Sequence, residues 1–513
     1  VNPTLTAGTT STLAAASGDT LTISGNIGTS TGALTIGSGS NTGTVVLSGT
    51  NSYTGGTTVN AGTLSFSALG NINSATGGLT LGGGTLLLTG ASNSVTLSVN
   101  PTLTAGTTST LAAASGDTLT ISGNIGTSTG ALTIGSGSNT GTVILTGANS
   151  YSGTTTISSG ATLQIGNGGS VGSIGSGSIV NNGTLIYSFD SSTKVSLPNT
   201  NYSGNGDFSI TAGGIGFTGN LNMGTGAFTY VSTTSSYAFS SLTTASSTIT
   251  AGSASLSGLI GGASSSSNSY ILTIDTHASN GGITINGLIN GYSGASSPYN
   301  IETVTFNAGS GIITISGVNK FTDWSPIGSV TFTAGSISGS GSFSYLSGYS
   351  TSNLTFQASG TSTYSGAIAG TSSVTSSGSG NLTLSGAISV SGGVTQTGSG
   401  VTILSNSGNT YSGGTSVSAG ALQINDSGSL GSGTVSVSGG VFKFNIGSAS
   451  TISNTFSLTS TGAISNIGSG AITLTGVVNT NLASTTMVDG GTAGIIISGN
   501  STPSGVGAGY WIK

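Results

Sequence analysis

Asp275 and His277 are the one place where an acid and the chain's single histidine stand two residues apart, in Ile274-Asp275-Thr276-His277. In a strand, residues i and i+2 share a face, so the carboxylate could orient the imidazole of a hydrolytic site. Such a site also needs an oxyanion hole and a serine on a strained turn. No G-x-S-x-G elbow surrounds the pair. The pair therefore reads as a solvated strand face or a local hydrogen bond, and no catalytic residue is expected.

Glycan-cleaving chemistry needs two carboxylates about 5–9 Å apart. Asp190, Asp207, Asp275, Glu302, Asp323, Asp426 and Asp489 are spread singly, and the chain has no arginine to hold an acidic sugar. Asp190 and Lys194 make at most a weak surface ion pair. Asp19 and its copy Asp117 follow glycines, but they are too isolated for a calcium roll, so no metal is expected. Gly82-Gly83-Gly84 and Gly490-Gly491 lack the lysine of a phosphate loop, and no cofactor is expected. The pairs Thr4/Thr6, Thr20/Thr22, Thr248/Thr250, Thr303/Thr305, Thr331/Thr333 and Thr473/Thr475 are too irregularly spaced for an ice-binding ladder. Threonine serves there as a polar strand former.

The elements that hold these residues are strands. Thr20-Leu21-Thr22-Ile23, Ala33-Leu34-Thr35-Ile36 and Ile283-Thr284-Ile285 alternate aliphatics with hydroxyls at period two, and Gly-Ser, Gly-Asn and Asn-Gly turns follow at short intervals. The longest alanine-rich run, Leu13-Ala14-Ala15-Ala16, is too short for a stable helix. Val1–Val45 recurs letter for letter as Val99–Val143, 98 residues on. Strands that share a sequence share an environment, which favours a solenoid over stacked sandwiches. Rungs of about 20–25 residues would give roughly 20–25 turns.

Composition excludes several partners. Only 3% of residues are charged, the net charge is -5 and there are four lysines, so no basic stripe exists for nucleic acid or an anionic membrane surface. No apolar run reaches the roughly 18 residues of a membrane span. Mean hydropathy of +0.28 argues for order. Cysteine is absent, which suits a chain that crosses an envelope unfolded. The start at Val1-Asn2-Pro3 is that of a mature piece whose leader is removed or lies upstream.

Gly49-Thr50-Asn51-Ser52-Tyr53-Thr54-Gly55-Gly56-Thr57-Thr58-Val59 resembles the β-strand repeat of autotransporter passengers. Further copies carry Tyr151 with Gly153, and Tyr411 with Gly413 and Gly414. Tyr53, Tyr151 and Tyr411 are expected to pack at rung corners, their hydroxyls bonded to backbone, rather than to form an exposed row for sugars. The resemblance implies a right-handed parallel β-helix on the surface of a bacterium with an outer membrane, although no C-terminal barrel lies in this sequence. It covers residues 1 to about 183 and 398 to about 444.

Three segments are expected: a repeat-bearing solenoid over 1–184, a divergent, aromatic-richer stretch over 185–397 with loops such as Ser264–Ser269, and a third repeat with the solenoid's end over 398–513. The function expected is structural and non-enzymatic: a rigid rod-like stalk or a head-to-tail filament subunit, adhering or self-associating. The partner would be a second copy, or a glycan or protein of a neighbouring surface. Val1, Asn2, Pro3, Tyr510, Trp511 and Ile512 would form the junction, because an uncapped rung leaves N–H and C=O groups unpaired. The alternatives are a monomeric passenger adhesin anchored through a barrel, and a glycan-active enzyme dependent on Asp275 or Glu302.

Overall fold

A computed structural model describes residues 2–72, 77–190, 192–196, 202–216, 221–232, 247–259, 269–290, 300–322, 329–346, 352–370, 372–481, 488–489 and 493–504. Nearly all ordered structure there is β, in short strands joined by turns, with 3-10 turns at Leu69–Asn71 and Ser427–Ser429. Strand pairs with strand in parallel, each residue meeting its counterpart one turn later, as Thr10–Leu13 meets Ala33–Ile36 and Val394–Gln396 meets Thr415–Val417. The protein is an all-β parallel solenoid of about 17 turns. Turn length varies along it: Thr44 pairs with Thr63, whereas Thr273 pairs with Thr305 and Ile283 with Ile313.

Contacts divide the chain into two units, Val1–Phe217 with Leu221–Thr234, and Thr218–Asn220 with Ser235–Lys513. In the first unit the period-two pattern decides which side chains enter the core. Leu34, Ile36, Val45, Leu47, Leu64 and Phe66 point inward and are no more than 1% exposed. Each contributes about 1.5–3 kcal/mol by leaving water. The second unit stacks Val304, Val330, Leu354, Val374 and Val394 in one inward column. Beside it runs Phe306, Phe332 and Phe356, whose neighbouring rings are 5.3 and 5.9 Å apart.

The two identical stretches do not occupy identical places. Thr10–Leu13 belongs to a five-stranded sheet, but its duplicate, within Thr108–Ala113, belongs to a neighbouring nine-stranded sheet. Likewise Thr20–Ile23 lies in the nine-stranded sheet and its duplicate Thr118–Ile121 in a third. Pairings such as Thr10 with Ala33 and Thr20 with Thr44 set turns of 23 and 24 residues, so an offset of 98 is not a whole number of turns. The second copy is carried one face around. Both faces accept it because each asks only for alternation.

Candidate functional site

The repeat motif is the most organised polar feature. Its asparagine precedes the tyrosine by two residues and ties three turns together. Asn149 Oδ1 accepts from the Ile125 N–H at 2.8 Å, and its Nδ2 donates to the Ser173 carbonyl at 2.6 Å. Asn409 does the same between Ile388 and Ser429, at 2.9 and 2.8 Å. Asn51 accepts from Ile27 and donates to Asn71. All three are buried. Sequence reading singled out the tyrosines instead, although Asn-x-Tyr is present in every copy.

Tyr53, Tyr151 and Tyr411 are fully buried, with hydroxyls hydrogen-bonded to Thr57, Thr155 and Thr415 Oγ1 at 2.7, 2.8 and 2.7 Å. The hydroxyl partner in each copy is thus a threonine four residues on. Burial raises the pKa of Tyr151 and Tyr411, and the bonds to Thr155 and Thr415 and to the backbone of Gly175 and Gly431 offset part of that rise. A Cβ on Gly175 would lie 2.6 Å from the Tyr151 ring, and one on Gly431 2.6 Å from the Tyr411 ring, so these glycines are demanded by close approach. The motif glycines Gly55 and Gly153 have the same cause: a Cβ there would meet the Gly32 or Gly130 carbonyl of the previous turn at 2.1 Å.

The acid–imidazole pair forms, but through a turn rather than a strand face. The strand ends at Asp275, and both the N–H and Nδ1 of His277 meet Asp275 Oδ1, at 3.1 and 2.7 Å. Thr276 and Ser279 direct their hydroxyls to the carbonyls of Gly281 and Gly252, each at 2.7 Å. This is a local turn with an exposed imidazole, and among the described residues no nucleophile is hydrogen-bonded to it. Asp190 accepts from the backbone and hydroxyl of Ser192 and the hydroxyl of Thr193, which lower its pKa. Asp426 caps the turn at Ser427–Ser429 by accepting from the Gly428 N–H. Asp207 accepts from the Ala227 N–H, one turn on. The side chains of Glu302, Lys194 and Asp489 and the whole of Asp323 lie outside the described residues, as do Val1, Tyr510, Trp511, Ile512 and positions 264–268. No group of three or more metal-ligating side chains occurs among the described residues.

Threonines that are irregular in sequence become regular in space. Thr248, Thr273, Thr305, Thr331, Thr355, Thr375 and Thr395 stand in one column of successive pairings. The next outward column is broken by Asp275, Asn307 and Gln357. Uneven turn lengths hide this alignment from any fixed-period search.

Residues 40–66, 138–165 and 394–424 match the model of the passenger-associated-transport-repeat family. Each segment holds one Asn-x-Tyr staple and the whole of the strand that follows it, Thr57–Val59, Thr155–Ile157 and Thr415–Val417. No curated protein matches the chain, and no solved structure does. The repeats and the parallel solenoid fit an autotransporter passenger with repeats, and they point to a structural protein of the extracellular space or cell surface of Gram-negative bacteria. Among the described residues no helix is long and apolar enough to cross a membrane.

Proposed function

We propose that the chain is a structural passenger displayed outside a Gram-negative cell, and that it self-associates. The observation that carries this reading is the stack of parallel turns, each strand in register on the next, with the repeat asparagines Asn51, Asn149 and Asn409 joining successive turns. A parallel ladder accepts a further in-register strand wherever one of its edges is open. A second copy added head to tail makes a contact that does not close and so builds a filament.

Sedimentation velocity and negative-stain microscopy of the purified chain should show concentration-dependent assemblies. A wild-type chain that stays monomeric at every concentration overturns self-association and leaves the passenger stalk.

A further inference from the structure

We propose that Asn167, at a corner of the first unit, is a self-modification site whose carboxamide converts to isoaspartate and aspartate while the surrounding turns stay folded. The chemistry belongs to the Asn-Gly dipeptide. The Gly168 backbone nitrogen gives its proton to solvent and bonds to the side-chain carbonyl carbon of Asn167. A five-membered imide closes, and the side-chain nitrogen leaves as ammonia. Water then opens the ring at either carbonyl, so that an amide and a water become a carboxylic acid and ammonia. Glycine leaves the attacking nitrogen unhindered and its backbone free to turn.

Six Asn-Gly pairs occur, beginning at Asn167, Asn182, Asn205, Asn280, Asn286 and Asn290. The dipeptide alone does not choose among them, but the fold does. Strand Thr162–Gly169 keeps register with Thr142–Leu145 and Thr184–Phe189 as far as Ile165, then slips so that Gly169 faces Phe189. Asn167 and Gly168 fall within the slip and have no counterpart in either register. Both are exposed, and a Cβ on Gly168, at φ +75°, would meet nothing within 4 Å.

Elsewhere the same dipeptide is locked. Asn182 and Asn205 are also exposed, but the Gly183 N–H donates to Asn181 Oδ1 at 3.2 Å and the Gly206 N–H to the Asn181 carbonyl at 2.8 Å. A Cβ on Gly183 would lie 2.3 Å from the Ala161 carbonyl oxygen, and one on Gly206 2.2 Å from that of Gly183, so neither backbone has room to turn. Asn280 Oδ1 accepts from the Ser310 N–H at 3.0 Å, and the Gly281 N–H donates to the Thr276 carbonyl at 3.3 Å. Asn286 is held in register between Ser257 and Ser316, and its Oδ1 accepts from the Ser316 hydroxyl at 3.3 Å. Gly291, after Asn290, lies outside the described residues. At each of the four locked pairs the stack must open before an imide can close, whereas at Asn167 it need not. The slip also tolerates the product: isoaspartate lengthens the backbone by a methylene, which would break a paired register but adds only to a stretch already out of it.

The modification stands apart from the self-association reading, because it is scored residue by residue within one chain. Peptide mapping of the purified chain, held in mildly alkaline buffer and sampled over time, tests it. Mass spectrometry reads the change from amide to acid at each pair, and isoaspartyl methyltransferase labelling reads the isomer. In the folded chain Asn167 should convert at least about tenfold faster than Asn182 and Asn205, which must first open locally. In urea the three should convert at similar rates, which assigns the selection to the fold. The circular dichroism spectrum should be unchanged once Asn167 has converted. Conversion of Asn182 or Asn205 as fast as Asn167 in the folded chain, conversion of Asn167 only in urea, or a spectrum lost in step with its conversion overturns the proposal.

Discussion

Asn149 reaches both the turn before it and the turn after it, so its loss strands two buried backbone groups, the Ile125 N–H and the Ser173 carbonyl. Asn149→Ala should cost about 2–4 kcal/mol locally, read by hydrogen exchange over residues 120–175. Asn149→Asp keeps the acceptor, loses the donor and should fall between. Equal protection in all three chains would refute the staple. The tyrosines give a pH dependence of definite sign. Burial raises the pKa of Tyr151, Tyr187 and Tyr411 above the usual value near 10. The unfolded chain therefore ionises first as pH climbs, so their stabilisation is whole below about pH 10 and is lost as pH rises toward their folded values. Phenolate absorbance from these three should develop only on unfolding; simple titration of all tyrosines near pH 10 would contradict their burial. The staple was visible as letters in every repeat copy, but its role was not, because Asn-x-Tyr says nothing of which backbone groups lie one turn away.

At the scale of strands, the same residues in two settings separate sequence from context. Leu111→Ala removes a fully buried side chain from between two turns and should cost about 2–4 kcal/mol, while Leu13→Ala, in an identical local sequence, should cost markedly less. Hydrogen exchange of Thr108–Ala113 against Thr10–Leu13 measures both, and equal losses would show that the first turn is covered. Strand positions were legible from Thr and Ser alternating with Leu, Ile and Val, and parallel stacking from the long duplication. The face that each strand joins was not legible. Turn length varies with loops that leave no periodic mark, from Thr44 with Thr63 to Thr273 with Thr305. That variation is what moved the duplicate to a neighbouring sheet and aligned the unevenly spaced threonines.

The whole chain carries thirteen charged side chains in 513 residues, for a net charge of -5, and the one acid–base side-chain contact among the described residues is that of His277 with Asp275, two residues before it. Folding therefore draws on burial and backbone pairing, which salt does not screen. The urea midpoint should stay nearly constant between about 20 and 500 mM sodium chloride. The same reasoning reaches assembly. With no charged patch to steer encounter, head-to-tail association should run near the unsteered rate of about 10⁵–10⁶ M⁻¹s⁻¹ and show little dependence on ionic strength. Light scattering against time at several salt concentrations reads both rate and extent. A steep fall with salt would place the contact on the few charged residues. A flat profile would place it on backbone pairing and apolar burial, the same terms that hold turn to turn within the chain and that salt does not screen.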